Sequence, residues 1–359
     1  MISVNSASIA NLKRLIPRIA NKRIGVLGDL MLDRYLWGTA SRLSPEAAVP
    51  IVDFVEQSEC LGGAGNVAVN IRSLGAHVEM FGAVGGHGSG DDEAGVALRA
   101  CLRAAKIGDK GVFPEKSRVT TVKTRVIARH QQIVRIDRER RDPLAKQAQE
   151  KLLRALLAAA KRLDALVLSD YDKGLIHDEL AERVLSACHK LNVPVFVKPK
   201  TSRLYAYRGA RAIVCNAKEA GFFVTSSITD EKSVEEAGHK LLAHFGCSAV
   251  VITRGEKGMS VFEESSPRHL TIPATSFEVT YARVGKAGIE RGATGRQVFD
   301  VTGAGDTVLS VLAAAVAAGA SVPDAAILAN TAAGVVVGKL GTASVSPQEL
   351  AHGLDELRV

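Results

Sequence analysis

The sequence has few aromatic residues, few cysteines and no long uninterrupted apolar run, and each scarcity excludes a class of protein. Aromatic residues make up 4% of the chain and do not interleave with a basic stripe, which argues against a nucleic-acid partner. The five cysteines are odd in number and lack Cys-x-x-Cys spacing, so we expect reduced thiols in a cytoplasmic protein. No apolar core of signal-peptide length follows the basic N-terminal residues. Polar residues, glycine and proline interrupt the apolar segments 308–318 and 324–338, so neither predicts a membrane span.

What the chain does contain favours a large α/β protein. Hydrophobic residues make up 47% of its 359 residues, enough for one large domain at 23–359 after an N-terminal arm or helix at 1–22. The net charge of +8 is compatible with anionic ligands and equally with a merely basic surface.

Apolar strand patterns alternate with helical patterns along most of the chain. This alternation predicts a three-layer α/β sandwich, with a mainly parallel central sheet covered by helices on both faces. Two β-rich stretches, at about 34–60 and 118–137, do not fit that core. We expect them to form a small separate sheet that acts as a lid.

The segment 300–307 (DVTGAGDT) is the most informative motif. Its glycines let the backbone turn tightly before an apolar helical run, and a helix N-terminus attracts anions. Gly303, Ala304 and Gly305 are therefore candidates for an anion hole. Asp306 carries a carboxylate that can take a proton from a hydroxyl attacking phosphate. The motif predicts phosphoryl transfer to an alcohol.

Polar residues follow several predicted strands, at the edge where open α/β sheets bind ligands. Asp29 and Asp33 follow the strand 23–28, and Asp170 follows the strand 165–168. These carboxylates are candidates for binding sugar hydroxyls, although Asp29 could equally cap a turn.

A glycine cluster at 62–68 opens a predicted helix that Gly75 ends. Gly62, Gly63 and Asn66 could let a polar ligand approach the backbone closely. The alternative is a dinucleotide fingerprint, but no good strand precedes the cluster and no acidic residue follows in a strand about 20 positions on.

Two further strand ends are candidates for a nucleotide site. Asn216 and Glu219 are three positions apart at a helix start, so they share one face and could hold magnesium through water. The alternative is a simple helix cap. The segment 253–258 could line the phosphates or ribose of a nucleotide, or form a hairpin turn.

Taken together, these residues resemble the ribokinase (PfkB) family of carbohydrate kinases over roughly 22–350. The specific signatures are the segments 62–75 and 300–306. Segments at 34–50, 122–137 and 334–342 are similar to those of the family's D-glycero-β-D-manno-heptose-7-phosphate kinases. In bifunctional forms a nucleotidyltransferase domain follows the kinase, whereas this sequence stops soon after 346–350, so we expect the stand-alone kinase form.

The resemblance implies an activity, cofactors and a site. It implies ATP-dependent phosphorylation of the anomeric hydroxyl of heptose 7-phosphate, with Mg²⁺, and it leaves a monovalent-cation requirement open. It also implies a ribokinase-like fold and a homodimer formed through the β lid. The implied residues are Asp306 as base; Gly303, Ala304 and Gly305 as anion hole; Asn216, Glu219 and Lys200 at magnesium and the ATP phosphates; Thr253, Gly255, Gly258 and Asn330 around the nucleotide; and Asp29, Asp33, Gly62, Gly63, Asn66 and Asp170 at the sugar.

A phosphate already present on the substrate calls for cationic donors, and arginine binds phosphate through two parallel hydrogen bonds. Lys123, Arg125 and Arg129, on a predicted lid strand, are our candidates for the 7-phosphate. The alternative is that they are solvated strand residues.

The sequence departs from the family pattern in two places. Lys198 stands where relatives usually carry an aspartate before Pro-Lys, which could strengthen phosphate binding or perturb the magnesium arrangement. The segment 280–298 is an extra basic, glycine-containing stretch before the 300–306 motif. It is either a solvated loop or a flap over the ATP site.

Three other functions stay open at this level. The chain could phosphorylate another sugar, sugar phosphate or nucleoside. It could be a non-catalytic sugar or nucleotide sensor, a hypothesis motivated by Lys198 and opposed by the complete anion hole. The glycine cluster alone would suit a dinucleotide oxidoreductase.

Overall fold

The computed structural model describes residues 6–88, 90–128, 131–202, 206–275, 279–285, 288–295, 303–339 and 343–357. The strand–helix alternation predicted from the sequence is confirmed over these ranges. The helices are α1 Ser6–Ile19, α2 Ala64–Ser73, α3 Glu93–Ala104, α4 Lys146–Ala160, α5 Asp178–Lys190, α6 Ala217–Phe223, α7 Glu231–Phe245, α8 Ala304–Ala317, α9 Val322–Val337 and α10 Pro347–Glu356. The strands are β1 Arg23–Gly28, β2 Leu30–Leu43, β3 Pro50–Gly63, β4 His77–His87, β5 Gly90–Asp91, β6 Gly108–Glu115, β7 Thr121–Ala128, β8 Gln131–Arg138, β9 Ala165–Ser169, β10 Val195–Lys198, β11 Ala212–Asn216, β12 Ala249–Thr253, β13 Met259–Glu263, β14 Leu270–Ile272, β15 Val279–Gly285 and β16 Gly288–Gly295.

A ten-stranded sheet forms the centre of the described part of the chain. Its strand order is β14-β13-β12-β11-β10-β9-β1-β4-β5, and β6 also pairs with β4. Neighbouring strands pair in parallel from β12 through β11, β10, β9 and β1 to β4, and β6 pairs in parallel with β4. At the two sides of the sheet, β13, β14 and β5 pair antiparallel with their neighbours. The predicted mainly parallel sheet is therefore confirmed.

Helices cover both faces of this sheet because its strands are apolar on both sides. In β9, Ala165 and Val167 pack into the core shared with α1, α2, α3, α8, α9 and α10. The alternate residues Leu166 and Leu168 pack into the core shared with α4, α5, α6 and α7. Successive side chains of a strand point to opposite faces, so each short apolar run serves both cores.

The lid predicted at 34–60 and 118–137 corresponds to a separate four-stranded sheet, in the order β3-β2-β7-β8. β2 pairs parallel with β7, and the other two pairs are antiparallel. Its first two strands extend beyond the predicted stretch 34–60, because β2 begins at Leu30 and β3 ends at Gly63. Asp33 lies within β2 rather than just after β1, and Gly62 and Gly63 are the last residues of β3.

The N-terminal helix and the extra basic segment have different settings. α1 buries Leu12, Ile16 and Ile19 in the core that also contains α8 and α10. Within the segment 280–298, the described residues belong to an antiparallel hairpin of β15 and β16. Whether this hairpin is a flap stays a prediction.

Two observations bear on the excluded protein classes. None of the five cysteines, all of which lie within the described ranges, is part of a disulfide bond. Among the described residues, no helix combines the length and the hydropathy needed to cross a bilayer.

Candidate active site

The polar strand ends predicted from the sequence meet at one edge of the central sheet. In the parallel register, Gly28 at the end of β1 lies opposite Ser169 at the end of β9, and Ser169 lies opposite Lys198. Asn216 at the end of β11 lies opposite Thr253 at the end of β12. Because parallel strands end at the same edge, the segments that follow them surround one region.

The helix α8 begins at this edge. Gly303 is its N-cap and has φ 86°, a left-handed conformation that favours glycine. Ala304 and Gly305 form the start of the helix, where backbone N–H groups point away from the helix. The predicted tight turn before a helix is therefore present at 303–305, and anion binding there stays a prediction. Asp300, Val301 and Thr302 lie outside the described residues.

Asp306, in the first turn of α8, is buried and receives hydrogen bonds from three side chains. Lys198 Nζ lies 2.7 Å from Asp306 Oδ1, and the Tyr171 hydroxyl donates to the same oxygen over 2.5 Å. Asn66 Nδ2 donates to Asp306 Oδ2 over 3.0 Å. The carboxylate is thus fixed by groups from α2, from the segment after β9 and from β10.

These contacts decide the charge of Asp306. Burial raises the pKa of a carboxyl group, but here the ammonium of Lys198 and the hydrogen bonds from Lys198, Tyr171 and Asn66 outweigh burial and lower the pKa of Asp306. Burial and the neighbouring Asp306 charge raise the pKa of Tyr171 well above its ordinary value, so its hydroxyl stays a donor. Asp306 is therefore an ionised carboxylate at neutral pH, able to accept a proton.

A second polar layer supports Asn66. Asn70 Nδ2 donates to Asn66 Oδ1 over 3.2 Å, and Thr307 Oγ1 donates to Asn70 Oδ1 over 3.0 Å. Asn66, Asn70 and Thr307 are all buried. The network fixes which way the Asn66 amide faces, so that its Nδ2 points at Asp306.

The residues predicted for magnesium and the ATP phosphates lie together. Asn216 Oδ1 accepts from the Glu219 N–H over 2.8 Å, and Glu219 Oε2 accepts from the Asn216 N–H over 3.0 Å. This is a capping box at the start of α6. Lys200 Nζ lies 3.5 Å from Glu219 Oε1. The alternative of a helix cap is confirmed as a structural role, and the ligand role stays a prediction.

Other residues predicted at the nucleotide have structural roles of their own. Thr253 ends β12, and the turn to β13 makes the segment 253–258 a hairpin, with φ of 61° at Gly255 and 79° at Gly258. Asn330 is buried in α9, where its Nδ2 donates to the Pro273 carbonyl over 2.8 Å. Their contacts with a nucleotide remain predictions.

Asp29 has the contacts of a turn-bracing residue. Its carboxylate accepts hydrogen bonds from the backbone N–H groups of Tyr171, Lys173 and Leu175. Burial and then the charge of Asp170 raise the pKa of Asp29 to about 6, although these hydrogen bonds lower it. Asp170 is itself buried and accepts from the Tyr207 hydroxyl and the Asp172 N–H. Both carboxylates hold the loop after β9, and contact with a sugar is a prediction for each.

Asp33 and Arg125, predicted separately for the sugar and its phosphate, form an ion pair of 2.6 Å. Gly62 lies directly against this pair, because a Cβ on Gly62 would be 2.5 Å from Asp33 Oδ2. Gly63 is the N-cap of α2 with φ 56°, and a Cβ there would lie 2.7 Å from the Asp29 carbonyl oxygen. The two glycines bring β3 close to β2.

The other cations predicted for the 7-phosphate are distributed differently. Lys123 Nζ lies 3.1 Å from Asp137 Oδ2 and 3.7 Å from Glu139 Oε2. The residue therefore sits in a charge network rather than in solvent alone. Arg129 lies outside the described residues.

Sequence reasoning did not assign a role to Tyr171 and placed Lys198 at the ATP phosphates rather than on Asp306. Tyr171 sits in the polar segment after β9, and Lys198 is the last residue of β10. Their positions at strand ends were the available signal. Their pairing with Asp306 depends on how α8 packs on the sheet, which no local pattern reveals.

No group of three or more His, Cys, Asp or Glu that could hold a metal ion occurs among the described residues. A cavity of about 950 Å³ lies beside α6, where Gly221, Phe222, Thr225 and His244 line part of it. None of its lining residues is a predicted site residue.

Curated relatives match the chain closely. It is 43% identical over 339 residues to the bifunctional protein HldE of Geotalea uraniireducens (strain Rf4), covering 94% of this chain and 64% of the relative. It is 44% identical over 329 residues to the bifunctional protein HldE of Geobacter sulfurreducens, covering 92% and 62%. The chain thus spans just under two thirds of the length of these relatives.

Solved structures share the fold. The Arabidopsis thaliana ribokinase complexed with ribose and ATP matches with a TM-score of 0.68 at 17% identity, covering 93% of this chain and 99% of that one. Phosphofructokinase-2 from Escherichia coli in complex with potassium matches with a TM-score of 0.72 at 18% identity, covering 94% and 99%. The fold is therefore ribokinase-like. Residues 21–349 match the family described as pfkB family carbohydrate kinase. The chain belongs to this family of kinases, which are phosphotransferases with an alcohol group as acceptor.

Proposed function

We propose that this protein is a cytoplasmic, ATP-dependent kinase of D-glycero-D-manno-heptose 7-phosphate. It transfers phosphate to the anomeric C1 hydroxyl and gives the 1,7-bisphosphate, a precursor of ADP-heptose for the lipopolysaccharide core. The observation that carries the proposal is the ionised Asp306 carboxylate at the N-terminus of α8. The lid segments that resemble heptose 7-phosphate kinases, and the 43% identity to a bifunctional protein HldE, support the choice of sugar.

The reaction needs a base beside an anion hole. Asp306 accepts the proton of the C1 hydroxyl while the oxygen of that hydroxyl forms a bond to the γ-phosphorus of ATP. The bond between the γ-phosphorus and the bridging oxygen breaks, and ADP leaves with its electrons. The amides at the start of α8 stabilise the charge on the transferred phosphoryl group. A general base of this kind contributes about 10²–10⁴-fold to the rate.

The residues around α6 fit magnesium bound through water and ATP phosphates. Glu219 offers a carboxylate that retains lone pairs beyond its cap, and Asn216 is exposed at the same helix start. Oxygen donors with room for several waters are what magnesium prefers. Magnesium, when bound, neutralises charge on the nucleotide phosphates. Lys200, paired with Glu219, supplies a further cation for those phosphates.

The sugar phosphate is proposed to bind between the Asp33–Arg125 pair and Asn66. Arg125 Nη1 is engaged by Asp33 and its guanidinium lies 5.3 Å from the Tyr35 ring centre, so the fork is held in one orientation. A phosphate would bind the remaining donors of a guanidinium that is already ordered. Lys123 and Arg129 remain the neighbouring candidates on the same lid segment.

The lid sheet supports a homodimer. Its strands expose Leu43, Phe54, Val55 and Ile136, each more than half exposed in the single chain. Large apolar side chains left exposed on one sheet are a feature of interaction surfaces. We therefore propose pairing of two lids, which light scattering of the wild type and of a Phe54→Asp variant would test.

The deciding experiment measures ADP formation with heptose 7-phosphate, fructose 6-phosphate, ribose and adenosine. We expect the highest kcat/KM for heptose 7-phosphate. Asp306→Asn should lower its turnover by about 10²–10⁴-fold while ATP still binds. Asp178→Asn, at an exposed carboxylate in the first turn of α5, is the matched control. A preference for another acceptor would refute the sugar assignment, and wild-type turnover of Asp306→Asn would refute the mechanism.

A further inference from the structure

Lys198 stands where the family resemblance predicts an aspartate, and its contacts in the structure indicate a role. It ends β10, and its side chain is 17% exposed, against 8% for that of Asp306. Its Nζ lies 2.7 Å from Asp306 Oδ1. A Cβ built on Gly305 would lie 3.3 Å from the same Nζ. One ammonium therefore touches the carboxylate and borders the anion-hole turn.

The three groups that hold Asp306 are not equivalent. Tyr171 and Asn66 are neutral donors, so they orient the carboxylate but bring no full charge. Lys198 brings a full positive charge into a buried place, where Coulomb interactions are strong. A buried carboxylate without such a partner would shift toward its protonated form, which cannot act as a base.

The surroundings of Lys198 contain charges of both signs. Burial lowers the pKa of Lys198. The charge of Asp306, its hydrogen bond and the charge of Glu219 outweigh burial, so the pKa lies above its ordinary value. Lys200 is a second cation beside Tyr171, since the ammonium groups of Lys198 and Lys200 are 5.4 Å and 5.5 Å from the centre of the Tyr171 ring. Lys200, however, pairs with Glu219 rather than with Asp306. The two lysines thus serve different carboxylates.

We propose that Lys198 is a positioning residue for Asp306, supplying the positive charge that keeps this buried carboxylate ionised and correctly oriented for the acceptor hydroxyl. The inference rests on the proposed role of Asp306 as base. It requires no new reactant, because the proton moves from the sugar hydroxyl to Asp306 while Lys198 stays protonated. An aspartate at position 198, as the family resemblance predicts, would not supply this charge.

The test is the pH dependence of kcat/KM in Lys198 variants. On the acid side of the profile, the acid limb, kcat/KM falls because Asp306 becomes protonated. In Lys198→Met this acid limb should move to higher pH. Turnover lost at neutral pH should be recovered at alkaline pH. Lys198→Gln keeps a hydrogen-bond donor without the charge and should show the same displacement. Lys198→Arg keeps the charge and should restore the wild-type limb.

Lys200→Met is the matched control, because it removes a second ammonium beside the Tyr171 ring that pairs with Glu219 rather than with Asp306. It should raise KM for ATP without moving the acid limb. A Lys198→Met or Lys198→Gln enzyme that loses activity equally at all pH values would overturn the proposal.

A measurement without substrate separates this inference from the proposed function. Carbon-13 NMR of labelled aspartates follows the titration of Asp306, with Asp306→Asn identifying its signal. The signal should titrate at higher pH in Lys198→Gln than in the wild type, even if the acceptor sugar is wrongly assigned. An unchanged titration refutes the role of Lys198, whereas full activity of Asp306→Asn refutes the role of Asp306.

Discussion

The side-chain amide of Asn66 donates a 3.0 Å hydrogen bond to Asp306 Oδ2, joining the first turn of α2 to the first turn of α8. The glycine-rich motif that opens α2 and the motif that opens α8 therefore belong to one hydrogen-bond network. Asn70, one turn further along α2, and Thr307, the residue after Asp306 in α8, extend the same connection. Because these groups are buried, their geometry is fixed before any ligand binds.

Asn66→Ala should lower kcat by roughly tenfold to a hundredfold, because a hydrogen bond to a charged group contributes about 1.5–3 kcal/mol. The substitution leaves Asp306 Oδ2 without this donor and breaks the link to Asn70. Steady-state kinetics at saturating ATP and sugar would measure the loss. Asn11→Ala, on the exposed face of α1, should leave kcat unchanged. Wild-type kcat in Asn66→Ala would show that Asp306 needs no help from α2.

The parts of the fold that the sequence predicted well are those with one uniform environment. β1 and β9 are short apolar runs buried on both faces, and their predicted bounds agree with the structure to within one residue. β2 was not recognised as one strand because it begins in the core and ends exposed in the lid, so no single period describes it. β6 was missed because Gly111 and Pro114 interrupt its pattern.

The candidate site divides in the same way. Gly303, Gly305 and Asp306 could be predicted because a local motif dictates their backbone and chemistry. The partners of Asp306 come from three other parts of the chain, and the nearest of them in sequence, Lys198, is 108 positions away. Their contacts depend on the packing of α8 against the sheet. Sequence reasoning could therefore name Lys198 as unusual but could not place it on the carboxylate.

Gly62→Ala should raise KM for the sugar phosphate by about tenfold, the equivalent of roughly 1.4 kcal/mol. The new Cβ would lie 2.5 Å from Asp33 Oδ2, so the Asp33 side chain must turn and its 2.6 Å pair with Arg125 must break. Stability should also fall, because the side chains of Arg125 and Asp33 are only 14% and 6% exposed and breaking a buried ion pair is costly. Gly90→Ala, where no atom lies within 4 Å, is the control. An unchanged KM in Gly62→Ala would mean that the Asp33–Arg125 pair does not hold the sugar phosphate.

Two capping boxes in this chain separate helix stability from ligand binding. Asn216→Ala and Ser346→Ala each remove an N-cap that reciprocates with a glutamate, at α6 and α10 respectively. Both should lower the free energy of unfolding by about 0.5–2 kcal/mol, measured by urea denaturation. Only Asn216→Ala should also raise KM for MgATP, if Asn216 and Glu219 organise magnesium. Equal KM values in the two variants would leave Asn216 with a capping role alone.

The raised pKa of Asp29 predicts how stability depends on pH. Its pKa is about 6 in the folded protein and about 3.9 in an unfolded chain, so the folded state binds this proton more tightly. The resulting stabilisation is complete below about pH 4 and is lost as the pH rises through 6. Relative to Asp29→Asn, which cannot titrate, the wild type should therefore gain up to about 3 kcal/mol between pH 7 and 4. Asp170→Asn should reduce that gain, because it removes the negative charge that raises the pKa of Asp29. Urea denaturation at several pH values would measure all three proteins, and a pH-independent difference between the wild type and Asp29→Asn would contradict the prediction.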